Sequence, residues 1–98
     1  MVINKTVENG KVTLMPEGRL DTTTAPEAEC VVKEVLPGAT ELVFDLEKLE
    51  YISSAGLRVL LASQKAMSAQ GAMRVIHVNE TIMEIFDVTG FSDILTIE

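Results

Sequence analysis

Apolar and polar positions alternate in short, strand-like runs at the start of the chain and take helical spacing further on. Val2 to Val7 and Lys11 to Met15 flank Glu8-Asn9-Gly10. Both residues of Asn-Gly tolerate the positive φ of a tight turn, so these runs predict a hairpin. The second strand continues from Val12 and Leu14 to Gly18-Arg19-Leu20-Asp21, with a break expected at Pro16 or Gly18. Proline lacks a ladder N–H and glycine marks bulges, so the far end of this strand can reach a different neighbour. A helix then starts in Asp21-Thr22-Thr23-Thr24-Ala25-Pro26-Glu27, where Thr24 and Glu27 have capping-box spacing and Pro26 is tolerated in the first turn. Its apolar stripe is Ala25, Ala28, Val32 and either Val35 or Leu36, with Glu27, Lys33 and Glu34 toward water, and Pro37-Gly38 stops it.

Glu41 to Leu46 is apolar on both faces, the pattern of a central parallel strand. A short acidic connection leads through Tyr51-Ile52-Ser53 into a second helix, Ser54 to Gln70, with Leu57, Leu60, Leu61 and Met67 on one stripe. Gly71 is placed to end that helix in the left-handed conformation. Met73 to Val78 predicts another parallel strand, with His77 inside it. Asn79 caps a third helix through Ile82, Ile85 and Phe86 that closes at Thr89-Gly90, and Ile94 to Ile97 adds a short edge strand. The expected fold is a single α/β domain over residues 1–98, with a mixed four- to five-stranded sheet, an N-terminal hairpin and helices packed on it. In such folds sites gather where strands end and helices begin. Gly18 to Asp21 and Tyr51 to Gly56 are two such places, and parallel pairing of their strands would bring them to one edge.

Composition narrows the function classes. With 98 residues, 47% of them hydrophobic and 23% charged, the chain can bury a core, and its 4% of aromatics means a core of Val, Ile, Leu, Met and Ala. A formal net charge of −7 opposes direct binding to nucleic acid or to anionic membranes. One cysteine, Cys30, excludes an internal disulfide and is expected to pack as a small hydrophobe. The first residues do not read as a signal peptide, and no apolar run approaches the ~20 residues of a membrane span. The expectation is a soluble, cytoplasmic protein.

No catalytic constellation emerges. His77 is the sole histidine and reads as a core or edge residue. Ser53-Ser54-Ala55-Gly56 lacks the preceding glycine of a nucleophile elbow, and there is no phosphate loop or dinucleotide fingerprint. Asp45, Glu47 and Glu50 could bind a cation but show no clustered ligand pattern and read as a solvated acidic loop, and Met15, Met67, Met73 and Met83 read as gap-fillers. No enzyme activity, cofactor or metal is expected. The serine pair leaves two accounts open. A serine there caps the second helix, worth about 1 kcal/mol. Alternatively, a hydroxyl at this turn accepts a phosphoryl group in the field of the helix N-terminus.

Asp45-Leu46, Leu49 and Tyr51-Ile52-Ser53-Ser54-Ala55-Gly56-Leu57-Arg58-Val59-Leu60 resemble the signature of STAS domains, specifically the bacterial anti-sigma factor antagonists. Gly18-Arg19-Leu20-Asp21 with Thr24-Ala25 resembles the family's second marked segment, and Asn79 through Ile85-Phe86 and Thr89-Gly90-Phe91 its C-terminal part. The resemblance implies a non-enzymatic partner switch. Such a protein binds an anti-sigma factor that is also a serine kinase, frees the sigma factor, is switched off by phosphorylation at Ser54 and is reset by a serine phosphatase. It implies partner contacts from Arg19, Asp21, Thr22, Ser53, Ser54, Gly56 and Arg58, with Asp21 either touching the partner or orienting the serine loop. Ser53 stands where phosphorylated members often carry aspartate, and Ala55 where they carry serine or threonine. STAS domains also serve as accessory or scaffold subunits of transporters and signalling complexes, which is the alternative reading.

Overall fold

A computed structural model describes residues 1–98. The elements follow as β1 (Ile3–Glu8), β2 (Lys11–Pro16), β3 (Gly18–Leu20), α1 (Ala25–Val35), β4 (Glu41–Asp45), β5 (Leu49–Ile52), α2 (Ser54–Ser68), β6 (Ala72–Ile76) and α3 (Glu80–Thr89). A 3-10 turn at Phe91–Asp93 completes them. Four strands form a mixed sheet in the order β1-β2-β4-β6, and β3 pairs with β5 in a separate two-stranded sheet.

The hairpin forms as its turn residues predict. Asn9 and Gly10 take φ of 50° and 84°, and Val7 faces Val12 in the antiparallel register. β4 lies between β2 and β6, parallel to both, with Leu42, Val43 and Phe44 all buried. Leu42 and Phe44 join Leu14, Leu46, Leu60, Met67, Ile82 and Phe86 in one apolar cluster that the helices close. Burial of aliphatic side chains of this size drives folding at about 25 cal/mol per Å² removed from water. At Gly18, φ is +86°, and there the second strand breaks away from the main sheet. Its far end, β3, runs parallel to β5 with a register irregularity between Gly18 and Arg19.

Several expectations need correction. The connection after β4 is not simply a loop, because Leu49–Ile52 forms β5. Thr24 and Glu27 do not form a capping box, and the Thr24 side chain makes no cap bond to α1. Gly71 does not close α2 in the left-handed conformation, since the helix ends at Ser68 with Ala69 as its cap. A glycine is needed at 71 because a Cβ there would lie 1.9 Å from the Thr40 carbonyl oxygen, in a place where two chain segments nearly touch. Cys30 is exposed, because it sits on the face of α1 opposite the stripe Ala28, Val32 and Val35. His77 lies just beyond β6, exposed, with φ of +56°, rather than inside a strand. Ile94 to Ile97 contributes a single bridge, Val75 to Ile97, and no strand. Asn79 does cap α3, its Oδ1 accepting from the Ile82 N–H at 2.8 Å, and Gly90 closes the helix with φ of +81°.

Candidate functional site

The β3–β5 pair decides what the rim looks like. Parallel pairing of Leu20 with Ile52 puts the turn into α1 and the turn into α2 side by side. The Ser53 N–H donates to the Leu20 carbonyl at 2.9 Å and ties the two turns together. Convergence of Gly18–Asp21 with Tyr51–Gly56 is thus a property of the fold.

The two serines have separate jobs. Ser53 is extended, with φ −99° and ψ −179°, and is the N-cap of α2. Its Oγ accepts from the Ala55 N–H at 3.3 Å, and its carbonyl accepts the first helical bond from Leu57 N–H at 2.9 Å. Ser54 is the first helical residue and is exposed, and its hydroxyl takes no part in the cap. The open question of which serine caps is settled for Ser53. Ser54 presents a free hydroxyl at the positive end of a 15-residue helix.

Gly56, for which the resemblance implies a partner contact, is buried. A Cβ at this position would come within 2.6 Å of Ile52 Cγ1, 2.8 Å of Leu20 Cγ and 2.9 Å of the Leu20 carbonyl oxygen. Its work is to let the first turn of α2 lie directly on β3 and β5, which holds Ser54 at the rim.

Opposite the serines, Asp21 organises the start of α1. Asp21 Oδ1 accepts from the Thr23 N–H at 3.0 Å, the Thr23 hydroxyl at 2.7 Å and the Thr24 N–H at 3.3 Å. Thr24 Oγ1 accepts from the Asp21 N–H at 2.9 Å and donates to the Arg19 carbonyl at 2.8 Å. The Thr23 hydroxyl, followed by the Thr23 N–H, holds the Asp21 carboxyl below its ordinary pKa. Arg19 stacks over the Tyr51 ring at 4.4 Å from its centroid and lies 3.9 Å from Asp21 Oδ2. That places a cation across the two turns, held by an aromatic face more than by the carboxylate. Thr22 and Arg58, both exposed, line a groove of about 590 Å³ between α1 and α2, together with Ala25, Ala55 and Val59. Of the nominated residues, Arg19, Asp21, Thr22, Ser53, Ser54 and Arg58 therefore share one rim, with Gly56 beneath it.

Sequence reasoning missed Tyr51 as the seat of Arg19, and it missed His77. The His77 imidazole Nδ1 lies 2.9 Å from Asp45 Oδ1, and that hydrogen bond, reinforced by the carboxylate's charge, raises its pKa above the ordinary histidine value. No helix is long and apolar enough to cross a membrane.

Comparison with known proteins agrees with this architecture. A protein of Bordetella bronchiseptica named as a candidate anti-sigma factor antagonist, BtrV, is 38% identical over 72 residues. That match takes in 72% of this chain and 61% of BtrV's length. The crystal structure of an anti-sigma factor antagonist from Mycobacterium paratuberculosis superposes with a TM-score of 0.89 at 22% identity, covering 98% of this chain and 83% of that one. The phosphorylated form of the Bacillus cell fate determinant SpoIIAA superposes at 0.77 with 16% identity, covering 99% and 91%. At these identities the superpositions establish the fold. The STAS domain profile matches residues 2–98, and the chain belongs to the STAS domain family.

Proposed function

We propose that this protein is an anti-sigma factor antagonist whose docking rim is switched by phosphorylation of Ser54. The observation that carries the reading is the division of labour between the serines. Ser53 holds the helix cap, so Ser54 can be modified without removing the cap that positions it. The name of BtrV, a candidate anti-sigma factor antagonist, supports the first half of this reading.

The protein supplies no chemistry of its own in this account. An anti-sigma factor with serine kinase activity docks on the rim of Arg19, Asp21, Thr22, Ser53, Ser54 and Arg58 and releases its sigma factor. The kinase then transfers the γ-phosphoryl of ATP to Ser54 Oγ, the bond to the β-phosphate breaking to release ADP while a base of the kinase takes the hydroxyl proton, and a serine phosphatase hydrolyses the ester to serine and inorganic phosphate. Phosphoserine adds about −1.5 to −2 charges. The N-terminus of α2 accommodates that charge in the free protein, because its dipole and backbone N–H groups favour an anion. Inside a desolvated interface the same charge costs about 3–4 kcal/mol, which weakens docking by two to three orders of magnitude. The rim changes its charge and keeps its shape.

The direct test is incubation with ATP and each anti-sigma-type serine kinase encoded in the same genome, followed by mass spectrometry of the peptide carrying Ser53 and Ser54. The expected result is one phosphoryl group on Ser54. Modification of Ser53 alone, or of neither serine by any of these kinases, overturns the proposal. A tight complex with a transporter subunit that is indifferent to Ser54 would assign the chain to the accessory role instead.

A further inference from the structure

A second cluster lies at the carboxyl ends of β4 and β6, built from residues the rim does not use. Asp45 is the last residue of β4 and pairs in register with Ile76, the last of β6, so His77 emerges beside it. The His77 backbone is left-handed, and its Nδ1 stands 2.9 Å from Asp45 Oδ1. The Glu47 N–H donates to the same Asp45 oxygen at 3.1 Å, turning the β4–β5 connection tightly at the end of β4. Donor atoms of Asp45, Glu47 and His77 all lie within 4.8 Å of one another. Carboxyl ends of neighbouring parallel strands are where open α/β sheets place ligands.

We propose that Asp45, Glu47 and His77 form a binding site for a divalent transition-metal ion of the Zn²⁺ type. Tetrahedral ligands about 2.1 Å from a zinc ion stand about 3.4 Å apart. Asp45 Oδ1 and His77 Nδ1, 2.9 Å apart through a hydrogen bond, need to open by only about 0.5 Å as the ion takes the place of the shared proton. Glu47 is exposed and swings in by rotating its own side chain, and water completes the shell. The imidazole selects the ion: nitrogen ligands suit Zn, Ni and Cu, whereas Mg²⁺ and Ca²⁺ take oxygen alone. Bound there, the ion clips the β4–β5 connection to the β6–α3 connection. None of the three residues belongs to the rim, so the proposal does not depend on the serine switch.

Calorimetric titration of the full chain with Zn²⁺ tests the proposal, with the histidine NMR signal followed in parallel. The chain has one histidine, so the imidazole resonance reports on one group only. One Zn²⁺ per chain is expected, with the His77 resonance shifting or broadening at that stoichiometry. His77→Asn and Asp45→Asn should each weaken binding about 100-fold, and Glu47→Gln about tenfold. Asparagine is chosen at 77 because it accepts the left-handed backbone. Circular dichroism confirms that each variant is folded, and if one is not, the wild-type resonance decides. The proposal fails if Zn²⁺ leaves that resonance unchanged, if binding survives in His77→Asn, or if it is lost in Cys30→Ser. It also fails if Mg²⁺ or Ca²⁺ binds as tightly, since the site would then be an acidic loop only.

Discussion

The starts of α1 and α2 lie side by side on the rim and are built in opposite ways. At α1, the Asp21 carboxylate and the Thr24 hydroxyl exchange hydrogen bonds with Thr23, Arg19 and each other's backbone, so the side chains of Asp21, Thr23 and Thr24 are committed while Thr22 is exposed. At α2, one long bond from Ser53 caps the helix, and the next residue, Ser54, is left exposed. A turn cross-linked by three of its side chains is held rigidly. A sparsely capped one can take up a phosphoryl group without breaking anything that holds the helix. The proposed switch uses both, a fixed wall and a modifiable one, with Gly56 packing them together.

The largest expected effect comes from disturbing that packing. Gly56→Ala forces a methyl against Leu20 and Ile52 and should destabilise the fold by about 1–3 kcal/mol. In thermal unfolding this lowers the midpoint by roughly 5–20 °C, and an unchanged midpoint would refute the close approach. Thr24→Val keeps the shape of the α1 turn but removes both hydroxyl bonds, for a loss of about 1–2 kcal/mol in urea unfolding. Ser53→Ala should cost less, about 0.5–1 kcal/mol, because a single cap bond of 3.3 Å is lost. If Ser53→Ala proves the costlier of the two, the contrast between the turns is wrong.

The smallest effect is acid sensitivity at Asp21. Its folded pKa is lowered, so its contribution to stability is fully present above the unfolded value of about 3.9 and is lost as pH falls through the lower folded value. Urea midpoints measured from pH 6 down to pH 2.5 should fall less steeply for Asp21→Asn than for the wild type. Equal slopes would mean that the α1 turn does not hold the carboxylate in its ionised form.

Much of this was legible in the residues. Asn9-Gly10 names its own turn, Leu42-Val43-Phe44 its own burial, and Asn79 its own cap, because each rests on local sterics or on a run long enough to show its period. The rim was half legible: the order Gly18–Asp21 and Tyr51–Gly56 pointed to two loops, while their contact rests on the β3–β5 pairing. Leu49–Ile52 escaped because a four-residue strand with Glu50 and Tyr51 in it shows too little alternation. Gly71 was misread because the demand for glycine there comes from Thr40, 31 positions away, and not from φ. Thr24 and Glu27 have capping-box spacing, but the Thr24 hydroxyl is taken up by the Asp21 N–H and the Arg19 carbonyl, and the Glu27 N–H bonds the Thr24 carbonyl instead. His77 reads as a strand residue until the left-handed backbone turns it toward Asp45, which only the fold brings near.

The central claim is that charge at Ser54, and not the shape of the rim, governs docking. Its most direct measurement is the affinity of the cognate anti-sigma factor for Ser54→Ala and Ser54→Asp, with Ser53→Ala as the control. Alanine at 54 should bind as the wild type does, aspartate should bind two to three orders of magnitude more weakly, equivalent to about 3–4 kcal/mol, and Ser53→Ala should change little. Equal affinities for the alanine and aspartate variants would contradict the account.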